Sequence, residues 1–494
     1  PIGGLVPPDL RKVVIADGPQ TIEVEPNDTR EQAQPLPNIG GVSGRIGRNG
    51  DVDFFRFPAR KGERRIVEVY ASRLDTPIDS VLEILDPQGR PVPRAVLRLV
   101  DQTEVAFRDH ASRGTGIRLT KWNNLDVNDY VLVGRELMRI FALPRNPDDD
   151  CQFYGEEGQR LGMFETTPEH HPMSQPIYKV EIHPPGTKFP AGGSSPVALT
   201  YRNDDGGPRF GKDARITFDP PQDGEYLVRL QDVRSLGGPD ASYHLVIRSP
   251  RPDYHLTSST ANLNIPRGGT KLLPVTLNRI DGFDRPVDVW VEGLPAGIRS
   301  TGTRIQSNEL TGLISFSAEE SAPTFSPPSW KLVSRAVDES GGRNSASPAS
   351  SPEGWRYADL GNPSGGRITV IQEPNLDVRA SAKRVVIRPG QEVTLTLSVD
   401  RGPAFSGRVP VLVQNLPQGV RVLNIGLNGV LITEKQTERS VVIRAEPWVK
   451  PLSRPFYAVG KAESAGTEES SPPIVLEVAE PTAKSARAST PDPR

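Results

Sequence analysis

The stretch TIEVEPNDTREQAQPLP (21–37) gathers Glu23, Glu25, Asn27 and Asp28 within six residues around Pro26. Three carboxylates and an amide this close repel one another. Two arrangements relieve that repulsion: a solvated acidic loop, or a hard cation. Calcium takes about six to eight oxygen ligands from carboxylates, amide carbonyls and water. Glu23 and Glu25 alternate, so an extended chain points both to one face. Asp51 and Asp53 form a second same-face pair. If the segment after Pro26 turns back against that strand, all six residues surround one ion. Asp79, Asn203, Asp205 and Asp213, with Asp204 between them, offer a second cation set, although Asn-Asp-Asp-Gly-Gly is first of all a turn sequence. Asn27-Asp28-Thr29 is also a glycosylation sequon.

Catalytic patterns are missing. The sequence has no G-x-S-x-G, H-E-x-x-H, phosphate-binding loop or dinucleotide fingerprint. Cys151, His170, His171 and His183, with Asp148 to Asp150, form the one dense polar cluster, and their spacing fits no zinc pattern. Neighbouring histidines on a strand point to opposite faces, so a polar loop is the simpler reading. Of the tryptophans, Trp290 in VDVWVEG is assigned to a strand and the core. Trp122 and Trp355 fall in loop-like sequence and are candidates for binding a sugar or peptide.

The elements that must position these groups are strands. Helical periodicity is almost absent, and alternation is everywhere. DVDFFRFPA (51–59), RRIVEVYA (64–71), SVLEILD (80–86), ARITFDPPQDGEYLVRLQD (214–232) and ASYHLVIRSP (241–250) read as half-buried strands and their turns. Fifty prolines and 46 glycines suit many short strands. At 494 residues, about three domains are expected. Lys plus Arg (59) nearly cancels Asp plus Glu (61), which gives no electrostatic case for nucleic acid or an anionic membrane. The lone Cys151 forms no intrachain disulfide. No apolar run approaches the roughly 18 residues that cross a bilayer, so no transmembrane segment is expected. A first residue of Pro1 suggests a processed chain or a fragment.

Residues 94–195 break the rhythm and read as an inserted β subdomain, with a hairpin in VNDYVLVGRELMRIFALP (127–144). From 251 the chain repeats itself. NIPRGGTKLLPVTLNRIDGFDRPVDVWVEGLPAGI (264–298) aligns with VIRPGQEVTLTLSVDRGPAFSGRVPVLVQNLPQGV (386–420) at an offset near 122 residues, pairing Gly268 with Gly390, Phe283 with Phe405 and Leu294 with Leu416. Each copy suits an immunoglobulin-like sandwich. The expected layout is a linker (1–19), a sandwich (20–250) with its insertion, immunoglobulin-like repeats at 251–373 and 374–480, and a disordered tail (481–494). The Ser/Gly/Pro-rich segment 338–354 is expected to be a mobile loop.

EVEPNDTREQAQ, VSGRIGRNGDVDFFRFPARKGE, SVLEILDPQG, YRNDDGG and PPQDGEYLVRLQD, in that order, resemble the bacterial pre-peptidase C-terminal (PPC) domain. The resemblance covers 20–93 and 196–250 and does not reach the insertion. It implies a jelly-roll-like β-sandwich appended to exported bacterial proteins. It also implies calcium near the N-terminal linker, at the matching E-P-N-D and D-x-D positions. With the repeats that follow, the layout is similar to large exported planctomycete-type proteins. The expectation is therefore an all-β, multidomain segment without catalytic machinery, extracellular, periplasmic or on the cell surface, that docks a protein or polysaccharide. The alternatives are an accessory region of a secreted hydrolase whose catalytic domain lies upstream, and a metal-dependent enzyme using the insertion.

Overall fold

The computed structural model describes residues 12–15, 18–111, 114–144, 148–156, 159–160, 162, 170–190, 193–207, 210–337, 355–358, 360, 364–372, 376–403, 405–423, 430–462 and 467–480. The expected tail (481–494), loop 338–354 and most of the N-terminal linker lie outside them. The chain is all β, built from stacked sheets. Helix among the described residues is limited to two three-residue 3-10 turns, Arg30–Gln32 and Ser72–Leu74. None of it is long and apolar enough to cross a membrane. Two compact units meet at residues 251 and 252.

In the first unit two five-stranded sheets face each other. One runs Gln20–Ile22, Gly40–Arg45, Ser242–Arg248, Arg65–Tyr70, Arg215–Phe218. The other runs Arg202–Asn203, Ser80–Leu85, Gly224–Asp232, Asp53–Ala59, Gln34–Pro35. Alternation decides the layers: Phe55 and Phe57 turn inward while Arg56 and Pro58 face water. They meet Val67, Val69, Phe218, Tyr226, Val228 and Leu245 in one core. The insertion leaves and re-enters side by side, since Tyr201 N–H donates to Val92 C=O at 3.1 Å. Between those points a seven-stranded sheet holds cores of its own, one around Val131, Val133, Ile140 and Phe153 and another around Leu97, Leu132 and Leu137. The expected hairpin is Tyr130–Val133 paired with Glu136–Ala142.

The second unit holds two sandwiches of the same design. Val287–Glu292 and Val409–Gln414 are strands at the 122-residue offset, as are Ile298–Thr301 and Val420–Leu423. Each sandwich is closed by a parallel pair, Asn262–Pro266 with Arg367–Ile371 and Arg384–Ile387 with Ile474–Val478. Gly268 and Gly390 turn the chain at φ +69° and +79°, which side-chain-bearing residues rarely adopt. The two sandwiches are tied directly. The buried Arg454 guanidinium forks onto the buried Glu309 carboxylate and also donates to Arg304 C=O at 2.9 Å.

Candidate metal centre

The N-terminal segment is held as an edge strand. Gln20–Ile22 pairs in parallel with Gly41–Ser43, and Glu23 N–H continues the ladder to Ser43 C=O at 3.0 Å. Gln34 clips the segment from the other side, accepting from Val24 N–H (2.8 Å) and donating to Ile22 C=O (3.0 Å). After Pro26 the chain turns onto the Asp53–Ala59 strand, where Phe54 N–H donates to Asn27 C=O at 3.0 Å. This fold-back brings together groups from two places in the sequence.

One ligand atom each from Glu23, Glu25 and Asp53 lies within 4.8 Å of the others. Asn27 joins them, its side-chain amide donating to Glu23 Oε1 at 3.0 Å and its backbone N–H to Glu25 Oε2 at 2.9 Å. Asp51 flanks the group, fixed by Gly47 N–H at 2.6 Å. Asp28 faces outward to Arg48 at 2.7 Å. Asn27, Asp51 and Asp53 are buried, at 0%, 2% and 0% exposure. Yet Asn27 Oδ1, Asp51 Oδ1 and Asp53 Oδ1 accept no hydrogen bond, and Asp51 Oδ1 has only the Arg48 guanidinium 3.4 Å away. Buried polar atoms are nearly always paired, so three orphaned oxygens in one cluster require an explanation.

The electrostatics sharpen the problem. Burial, and then the Glu23 charge, pushes the Asp53 carboxyl up to about 9, against the opposing Tyr243 hydrogen bond. Burial also raises Asp51, against the Gly47 N–H. Glu25 is raised by burial, against the Asn27 N–H, with the Glu23, Asp51 and Asp28 charges adding to the rise. Tyr243, buried in the opposite sheet, lies with its hydroxyl 2.7 Å from Glu23 Oε1 and 2.6 Å from Asp53 Oδ2. Once Asp53 loses its proton, one hydroxyl proton cannot serve both carboxylates at once. The set therefore holds more acceptor than the protein supplies donor. An oxygen-rich, donor-poor cluster is the chemistry of a hard cation site, so the residues present fit calcium.

Sequence reasoning missed Tyr243 and Gly44. A Cβ on Gly44 would come 2.5 Å from Tyr243 Oη and 2.7 Å from Glu23 Oε2, so only glycine lets those groups meet. Nothing local in ASYHL marks the tyrosine, because its partners lie 190 and 220 residues away.

The second acidic set does not converge. Asp213 accepts from the Ala71, Ser72 and Arg73 backbone N–H groups at 2.7–3.2 Å and from the Arg73 guanidinium at 2.7 Å. Asp79 pairs with Lys212 at 3.0 Å. Asn203 donates to Asp205 C=O and Arg215 C=O, as a turn asparagine does. Asp205 is pushed up to about 7 by burial and by the Asp204 and Asp79 charges. Among the described residues, Glu23, Glu25 and Asp53 form the single group of three or more carboxylate, histidine or cysteine ligands within reach of one ion.

Cys151, His170, His171 and His183 therefore do not come together either. His171 is buried between the Glu136 carboxylate and Gln175 Oε1, while His170 is exposed. Burial pushes the Cys151 thiol well up, away from the thiolate that metals and nucleophilic chemistry need. Two tryptophan assignments change. Trp330 is the fully buried tryptophan of the first repeat, whereas Trp290 is half-buried, and Trp355 lies in a strand, Trp355–Tyr357. Trp122 packs half-buried against the insertion's core.

No family model matches the chain, and no curated protein matches it. Solved structures similar to parts of it include a protein of unknown function from Porphyromonas gingivalis W83, at 10% identity and TM-score 0.17 over 45% of this chain and 99% of that one. The D00-D0 domain of intimin has 11% identity and TM-score 0.17 over 45% and 99%. Fibronectin(III)-like modules of Clostridium thermocellum CbhA have 12% identity and TM-score 0.15 over 49% and 100%. No residue role follows from these likenesses, and the PPC resemblance rests on its five sequence pieces.

Proposed function

We propose that the chain is a non-catalytic binding or scaffold segment of an exported bacterial protein, in which one calcium ion pins the N-terminal segment to a PPC-like sandwich. The observation that carries this reading is the set of buried, donor-less oxygens on Asn27, Asp51 and Asp53 beside Glu23 and Glu25. Glu23, Glu25, Asn27 and Asp53 would hold the ion, with Asp51 and Asp28 behind them. The ion would supply positive charge at Glu23, Glu25 and Asp53, while the Arg48 guanidinium pairs with Asp28 and Asp51. Tyr243 and Gly44 position the carboxylates. The chain's own part is to present loops and sheet faces, with the Arg454–Glu309 fork tying the two repeats together. Docking of a protein or polysaccharide surface is the role proposed for those faces.

Calorimetric titration of chelator-stripped protein with calcium tests the reading. One ion per chain is expected, and none in the Glu25→Ala, Asp53→Ala double variant. Absence of binding to the wild-type chain would remove calcium from the proposal and leave a metal-free β scaffold.

A further inference from the structure

On the strand Val287–Glu292 the first repeat turns an aromatic side chain outward, and the matching strand of the second repeat, Val409–Gln414, carries none. In Val287–Glu292 the core takes Val287 and Val289, with Val291 packed beside them. Asp288, Trp290 and Glu292 therefore point away from the core. Register completes the face. Trp290 lies opposite Val333 and Val333 opposite Tyr357, so the three form one row across three strands. Asp288, Arg335 and Trp355 form the next row, and Glu292 and Lys331 a third. The Trp290 and Trp355 rings pack edge to face, 5.1 Å apart at 82°. Tyr357 is 49% exposed, and Val333, beneath the rings, is fully covered.

The polar groups around the rings are loosely committed. Glu292 and Lys331 face each other across the strands, yet no ion pair joins them. Glu292 is instead reached at 3.3 Å by the Trp290 indole N–H and at 3.5 Å by the Tyr357 hydroxyl, both long contacts. The Lys331 ammonium sits over the Tyr357 ring at 5.5 Å. The Trp355 indole N–H is out of solvent and has no acceptor. Asp288, by contrast, is fully engaged by the Arg304 fork.

The fold does not require any of this. At the 122-residue offset the second repeat carries Pro410, Leu412 and Gln414 where the first has Asp288, Trp290 and Glu292. Its strand Val409–Gln414 keeps the same inward valines, Val409 and Val411. The scaffold is thus equally served by leucine at the tryptophan position, and the outward aromatics call for a role other than folding.

We propose that Trp290, Trp355 and Tyr357, flanked by Glu292 and Lys331, form a binding platform for a polysaccharide. Its chemistry matches a polyhydroxylated ring. The C–H faces of a sugar stack on indole and phenol rings, which carry negative faces. A carboxylate acceptor and an ammonium donor side by side, not spent on each other, meet neighbouring hydroxyls. One acidic and one basic group beside the rings fit a polymer of low charge, and a strongly anionic one less well. The proposal rests on the docking role above and gives it a site and a ligand class.

Affinity electrophoresis of the full chain tests it, in gels containing xylan, a mixed-linkage β-glucan, a glucomannan or alginate. The variants are Trp290→Leu, which copies the second repeat, and Trp355→Ala, with circular dichroism confirming the fold. The expected result is retardation by at least one neutral polymer and binding about tenfold weaker in Trp290→Leu, the equivalent of one lost aromatic contact. Retardation that both folded variants retain would overturn this site while leaving polymer docking in place. Retardation by alginate alone would overturn the ligand class. No retardation in any gel, with tryptophan fluorescence quenched instead by a proline-rich peptide or unchanged by all of these probes, would overturn the platform. Calcium titration of the same samples reads the other proposal separately, because none of these residues belongs to the acidic cluster.

Discussion

Two acidic clusters in the same sandwich show how differently buried carboxylates can be accommodated. Asp213 is fully buried and fully answered: three backbone N–H groups and the Arg73 guanidinium meet its oxygens, and the loop 71–73 is shaped by that carboxylate. Asp53 is equally buried but is left among like charges, with one shared hydroxyl and an orphaned oxygen. The first is a structural anion that supplies what the chain needs. The second has like charges around it in place of donors, and it holds a proton up to about 9. A buried carboxylate points to a ligand only when its oxygens outnumber the donors around it.

The comparison can be broken most forcefully at Asp213. Asp213→Ala strands three backbone donors and the Arg73 Nε–H, though Arg73 keeps Glu68, and should cost about 3–5 kcal/mol. The loss in chemical denaturation should be the same with calcium or with chelator. A calcium-dependent loss would mean that this cluster too holds an ion.

Asp53→Asn should do the opposite. Buried Asp53 keeps its proton up to about 9, so a neutral amide stands in for it and the chelated protein keeps its stability. Saturating calcium should stabilise the wild type by about 2.7 kcal/mol at a hundredfold excess over Kd, and should leave the variant's midpoint unmoved. A variant that still shifts with calcium would place the ion elsewhere.

The third test uses pH. Asp53 titrates near 9 in the folded chain and at its ordinary 3.8 when unfolded. Between those values the folded state holds a proton that the unfolded state has lost, so stability of the chelated protein falls as pH rises from about 4 to about 9. Calcium competes with that proton, so its stabilising effect should grow over the same interval. Denaturation midpoints at pH 5 and pH 8, with and without calcium, check both slopes. Equal midpoints in chelator would show that the cluster is solvated. The smallest effect is expected at Arg48, which is exposed and pairs with Asp28 and Asp51. Arg48→Ala should change stability by less than about 1 kcal/mol and tighten calcium binding slightly by removing a competing cation, as titration would report.

Much of the architecture was legible in the residues. Strict alternation in DFFRFPA and RIVEVYA marks two-faced strands, and the 122-residue offset marks the paired sandwiches. The pairing of Glu23 with Glu25 and of Asp51 with Asp53 was also visible, since side chains two apart share a face. Even the outward placement of Trp290 was written in V-D-V-W-V-E, where the tryptophan shares its parity with two acids. Assigning it to the core followed from its place in a strand, and parity is the stronger signal because the pleat sends every second side chain to the same side.

Tertiary structure alone decided which acids become a cluster. Glu23 meets Asp53 because the N-terminal segment adds to one sheet and then crosses to the other, and Tyr243 reaches both from a strand near the far end of the unit. Asp213 looks like a ligand in sequence and is claimed instead by a loop some 140 residues away. Local pattern fixes the face on which a side chain stands. The donors that face it come from strands paired across long separations, and a carboxylate's balance of charge and hydrogen bonds is set by those partners.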